Sequence, residues 1–188
     1  MHVNAVPDGA DTISADDREV VLALATRRGM TEWPAPRDTV IVVGDYETSY
    51  ELVRRGGRIC FEVVQRGHRL AHALFTSVAD AVRFLVFTLA DQRHGPEWTP
   101  IEHADFAPGT GYAPSPEGWI LHWPGGQAVS PQRRLLVSTA REFSWVATAT
   151  PADIAASYRH HNGEPLFDLG HRVQVRYTDP NRTDTPPP

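Results

Sequence analysis

Apolar residues recur along this chain in two periods, and the alternation between them predicts the order of elements. Val21, Leu24 and Ala25 form a helical stripe behind Ser14, an N-cap residue, with Asp16, Asp17 and Glu19 near the positive end of the helix. Arg27 and Arg28 lie in the last turn and Gly29 stops it, so a helix is predicted over about 15–28. After Pro34 and Pro36 the period falls to two. TVIVVGD (39–45) reads as a buried strand. In the segment that follows, alternation places Tyr50 with Leu52, then Ile59 with Phe61 and Val63, then Leu70 with His72 and Leu74. Gly56-Gly57 and Arg66-Gly67 supply the positive backbone angles of tight hairpins. The pattern is an antiparallel meander.

Ser77 to Asp80 is a capping-box-like start to a helix running to about Gln92. Val78, Ala81, Val82, Leu85 and Leu89 share a face, while Phe84 and Phe87 fall roughly opposite. That helix is therefore either sandwiched or offers aromatic surface to a partner. Residues 94–118, rich in proline and glycine, read as a long irregular loop, longer than compact domains usually carry without a function. GWILHWPGG (118–126) predicts a short strand, and RRLLVSTA (133–140) another. EFSWVATA (142–149) is a strand candidate that could be helical. TPADIAAS (150–157) then reads as a helix, with Thr150 as N-cap, Pro151 at the first helical position and Asp153 closing a capping box. GHRVQVRYT (170–178) could add an edge strand. The expected fold class is α+β: a mainly antiparallel sheet, a meander at its centre, with about three helices packed on it. The expected organisation is a flexible N-terminus (1–13), a single domain (14–177) and a disordered tail (178–188).

Composition narrows the function. The formal net charge of −5, from 23 acidic and 18 basic residues, argues against sequence-independent nucleic-acid binding, which needs clustered positive charge. Every basic residue is arginine, which codon bias in a GC-rich genome is enough to explain. No apolar run approaches the roughly 20 residues of a membrane helix, and Met1–Gly29 lacks the layout of a signal peptide. The single cysteine, Cys60, fits a reducing compartment. A cytoplasmic protein with no membrane or nucleic-acid partner is expected.

Signatures of chemistry fail one by one. A P-loop needs lysine, and there is none. G-x-G-x-x-G after a strand, H-E-x-x-H, C-x-x-C and G-x-S-x-G are also lacking. His68 and His72, four apart on a strand, lie about 13 Å apart and cannot chelate one ion alone. Adjacent His160 and His161 diverge by about 100° at a helix end and read as its terminus. Cys60, mid-strand between Ile59 and Phe61, reads as a packed structural thiol. No catalytic residue, metal or cofactor is expected. Recognition is the better reading, and the loop and strand after residue 94 supply its anchors: Trp98, Phe106, Tyr112, Trp119 and Trp123, with Glu102 and Asp105 to meet basic groups. These aromatics could equally cover the open side of the sheet as a satellite core.

Three segments in this order, RRGGRICFEVVQRGHRLAHALF, SVADAVRFLVFTLAD and FSWVATATPADIAASYRHHNGEPLF, resemble the immunity proteins of actinobacterial polymorphic-toxin systems. That family includes the antitoxin of tuberculosis necrotizing toxin, a secreted NAD glycohydrolase. The resemblance covers about residues 38–168 and rests on pattern rather than a catalytic motif. It implies a cytoplasmic antitoxin that binds the cognate toxin's catalytic domain one to one and obstructs its NAD site, with no activity of its own. It transfers no binding residue. The alternative is a secretion accessory protein or chaperone using the same surface; an unrecognised small-ligand enzyme ranks third.

Overall fold

Residues 39–75 form the meander at the centre of the molecule. The computed structural model describes residues 12–90, 105–131, 135–160 and 163–166. Strands β2 (Thr39–Gly44), β3 (Thr48–Arg55), β4 (Arg58–Gln65) and β5 (His68–Phe75) pair antiparallel in sequence order. Gly56 and Gly57 have φ of 56° and 76°, and Arg66 and Gly67 of 49° and 80°, so both hairpins turn through two positive-φ residues. That twist matches the right-handed twist of the strands they join. A two-residue strand, β1 (Thr31–Glu32), extends the edge beyond β2, and its brevity hid it from the hydrophobic pattern.

The second half of the sheet departs from expectation. The predicted irregular loop contains β6 (Gly111–Ser115), which pairs with β7 (Gly118–Trp123), and β8 (Gly126–Ser130) follows across the turn at Pro124-Gly125. β8 returns to pair with β5, giving among the described residues one eight-stranded sheet in the order β1-β2-β3-β4-β5-β8-β7-β6. The described part of RRLLVSTA, from Leu135 on, is not a strand. Val137–Ser144 is helix α3, because Ala140 and Phe143, three apart, are both buried on the same core and Val146-Ala147 continue onto it. EFSWVATA begins helical, as its alternative reading allowed, and passes into a turn.

Helix α1 (Ala15–Arg27) starts where Ser14 Oγ accepts the Asp17 amide at 3.1 Å. α2 (Val78–Ala90) is capped by Ser77, whose hydroxyl accepts the Asp80 amide and donates to the Asp80 carboxylate. α4 (Pro151–Ser157) is capped by Thr150 in the same way. There are four helices in the described residues rather than about three. All four pack on one face of the sheet, and α2 lies at their centre. Phe84 settles the question its position raised: its ring meets Phe61 and Phe143 at 5.0 Å, Phe75 at 5.4 Å and Phe87 at 5.9 Å. Phe84 and Phe87 are both buried, so the helix is sandwiched. The flexible N-terminus (but for its last two residues), the edge strand at 170–178, the tail, and the end of the α2 prediction lie outside the described residues.

One irregularity reorganises a face. Between Phe61 and Glu62 the β4–β5 register slips: Phe61 pairs with Ala73 but Glu62 with Ala71. His72 is the extra residue of a bulge, which inverts the alternation on its C-terminal side relative to the register set by the hairpin turn. Leu70 and Leu74, expected on one face, therefore point to opposite faces. Leu70 pairs with Val63 on the helix side, and Leu74 with Cys60 on the other. Arg69, opposite Val64 in the register that the Arg66-Gly67 turn sets, lies on the face that holds Glu62.

Candidate functional site

Two surfaces carry the polar and aromatic groups that could meet a partner. The first is the end of the sheet at β6 and β7, where β6 is the last strand among the described residues. Tyr112 pairs with Leu121, which puts it on the helix side of the sheet, and its ring lies 5.0 Å from Trp119 and 6.3 Å from Phe106. All three are half-buried at the margin of the core. The segment before β6 is tied to α3: Trp145 Nε1 donates to the Asp105 carbonyl at 3.0 Å, and the Ala107 amide donates to Ser144 Oγ at 3.0 Å. The Arg141 guanidinium lies over the Phe106 ring at 5.9 Å. The Tyr112 hydroxyl donates to the Leu135 carbonyl at 2.7 Å, so the aromatic row abuts the start of α3. There Leu136 is 65% exposed and Val137 37%. Periodicity missed these two, because the run Leu135-Leu136-Val137 read as strand interior.

The structure thus brings Phe106, Tyr112 and Trp119 together and sets Asp105, exposed, beside them. Trp123 is separated from them: it is 5% exposed and packs edge-on against Phe143, deep in the core. Trp98 and Glu102 lie outside the described residues. The row is part satellite core and part surface, an intermediate state between the two readings of the sequence.

The second surface is the sheet face away from the helices. Register places Glu51 opposite Glu62, Val53 opposite Cys60, and Arg55 opposite Arg58. Two like-charge pairs face each other directly, an unfavourable arrangement in isolation. Arg69 resolves the first pair: Nη1 bonds Glu62 and also Glu51, the latter at 2.7 Å, and Nη2 bonds Glu51 at 3.3 Å. Its bonds to Glu62 and then Glu51 hold the guanidinium charged beyond even its usual range. Arg55 bonds Glu62 from the other side at 2.7 Å. Arg58 turns to Glu117 at the tip of the β6–β7 hairpin, 2.6 Å away, and that bond holds the Glu117 carboxyl below the usual range. The Glu62 side chain is 2% exposed. Cys60 beside it is buried, and burial first, with the Glu62 charge second, pushes its thiol up to about 12. It is the structural cysteine the sequence suggested.

The histidines serve as the fold requires. His72 sits edge-on to Phe61 at 6.2 Å, and His160, beyond the end of α4, lies 3.9 Å from Glu164. His161 falls outside the described residues. Among the described residues no three His, Cys, Asp or Glu side chains are grouped to hold a metal ion. A groove of about 310 Å³ between α1 and α4 has Val20, Leu24 and Ala155 in its lining and Asp16, Glu19 and Arg159 among its polar groups. No described helix is long and apolar enough to cross a membrane.

A family model described as Immunity protein 61 matches residues 24–166, a span that includes both surfaces. Among solved structures, Rv3902c from M. tuberculosis superposes with a TM-score of 0.62 at 17% identity, covering 88% of this chain and 98% of that one. At that identity the likeness is one of fold. No curated protein matches the chain.

Proposed function

The chain belongs to the Immunity protein 61 family, and from that membership we propose that it is an antitoxin. It binds the catalytic domain of a cognate secreted toxin one to one and occludes the active site, acting in the cytoplasm without chemistry of its own. The resemblance of residues 38–168 to the antitoxin of an NAD glycohydrolase makes that class of toxin the first to test. The family match over most of the chain is the observation that carries the reading. The β6–β7 edge supports it: Phe106, Tyr112 and Trp119 with Asp105 form a rigid aromatic row beside the exposed Leu136 and Val137, and interfaces are anchored by such groups. Trp98 and Glu102 belong to the same proposed surface. Trp123 acts behind it, as support.

Co-expression with the toxin domain encoded beside its gene tests the reading. Growth should be rescued, a 1:1 complex should be isolated, and NAD loss should stop. Rescue without any toxin-dependent NAD loss would remove the NAD glycohydrolase class and leave the antitoxin. No complex and no rescue would remove the antitoxin.

A further inference from the structure

The sheet face opposite the helices spends structure on a buried charge. A carboxylate taken out of water is costly, and an apolar group of similar volume is often as good for stability. Glu62 stands among such groups: Val42, Val53, Cys60, Leu74 and Val129 are half-buried or buried on the same face by register. Arg69, set on this face by the register of the β4–β5 hairpin, nevertheless meets it. What the arrangement achieves is visible in depth. The acids lie inside, Glu62 at 2% and Glu51 at 12% exposure, while the guanidinium groups lie outside, Arg69 at 46% and Arg55 at 56%. The formal charges of the cluster cancel, but the outer layer is positive on a chain whose net charge is −5.

Arg55 commits one nitrogen, Nη2, to Glu62, and Arg69 commits its two terminal nitrogens to Glu51 and Glu62. A guanidinium has five N–H donors, so each keeps donors for an acceptor from outside. Their side chains are already held in place by the acids beneath. Binding through them loses less rotamer freedom than binding through a mobile surface arginine. The Arg58–Glu117 pair joins this layer to the hairpin that bears Tyr112 and Trp119. We infer that Arg55 and Arg69, fixed by Glu62 and Glu51, receive an acidic segment of the cognate toxin, as a second contact continuous with the β6–β7 edge. This rests on the antitoxin reading.

The test is the affinity of Arg55→Gln and Arg58→Gln for the toxin domain encoded beside the gene, by calorimetry at low and high salt. Each leaves Glu62 paired with Arg69, and a thermal melt identifies a folded variant. Arg55→Gln should bind about tenfold more weakly at low salt and lose part of the salt dependence of the parent. Arg58→Gln, which disturbs the same layer from its edge, should weaken binding in the same direction. Folded variants that both bind within about twofold of the parent at either salt would overturn the inference while leaving the antitoxin intact. A parent chain that binds no toxin would remove the antitoxin reading and this contact together.

Discussion

Replacing Phe84 by alanine tests whether α2 is the keystone of the fold. The ring is 3% exposed and touches four other rings at centroid distances of 5.0 to 5.9 Å, from β4, β5, its own helix and α3. Truncating a buried phenylalanine costs about 3–5 kcal/mol, the spread reflecting how far the site collapses. Aromatic pairs add about 0.5–1.5 kcal/mol each beyond area, and this site, held by sheet on one side and helices on the other, has little freedom to close. The expected loss is therefore at the top of that range, about 4–5 kcal/mol. For a chain of this size it lowers Tm by roughly 8–20 °C. Domains commonly hold only about 5–15 kcal/mol in total, so Phe84→Leu, expected to cost about 1–2 kcal/mol, keeps the comparison measurable. Urea titrations of both variants, with a check that the slope is unchanged, give the values. Tyr46→Ala, at a position 92% exposed, is the control and should move stability by less than about 0.5 kcal/mol. A loss below about 1.5 kcal/mol for Phe84→Ala would mean that the helix does not clamp sheet and α3 together, and the packing argument would fail.

Three further outcomes follow from local geometry. Cys60, its thiol pushed up to about 12 by burial and then by Glu62, should resist alkylation at mildly alkaline pH until urea unfolds the chain; prompt labelling of the native protein would contradict its placement. Asp45 is held below the usual carboxylate range by the Thr48 and Glu47 amides, and Glu117 by Arg58. Both folded values are depressed, so their contribution is complete above the unfolded values near pH 4 and is lost as pH falls through the folded ones. An Asp45→Asn, Glu117→Gln double variant should show a flatter fall of Tm with acid than the parent. Gly118 has φ of 136° and a Cβ there would sit 2.3 Å from the Ser130 carbonyl oxygen, so Gly118→Ala should cost at least about 2 kcal/mol by urea titration. Gly56→Ala, with open space around it, should cost about 1 kcal/mol.

The elements legible in advance were those whose signals are local. Ser14, Ser77 and Thr150 cap their helices through their own side chains, and Gly56-Gly57 and Arg66-Gly67 turn their hairpins through their own backbone angles. The errors lie where a remote partner decides. Gly111–Ser115 contains Pro114 and no apolar run, and it is a strand because β7 pairs with it at the edge, where proline is tolerated. Leu135-Leu136-Val137 has the composition of a strand, yet Phe143 and Ala140 find the core only from a helix. The candidate surface divided in the same way. Phe106, Tyr112 and Trp119 could be named as aromatics in an unusual segment, but Trp123 belongs to the core because α3 brings Phe143 to it.

The arginine layer shows the deeper reason why function is harder to read than fold. Arg69 and Glu62 are seven residues apart, and the two-residue turn at Arg66-Gly67, which sets Gln65 opposite His68 and Val64 opposite Arg69, puts them on one face of the sheet. A single extra residue, His72, then moves Leu74 to the face of Glu62 and sends Ala73 and Phe75 to the core, and nothing in RGHRLAHALF marks which of its residues opposes no partner. The bulge is decided by sums over both faces: Leu70 keeps the helix side opposite Val63 and Arg69 keeps Glu62, while Ala73 and Phe75 gain the core. Shifting a strand by one residue exchanges every side chain between faces, so which side chains share a face with Glu62 depends on a register chosen by turn and packing together. Folds are written in patterns that tolerate such slips. Surfaces that recognise a partner are written in which face a given charge reaches, and that becomes visible only once the strands are paired.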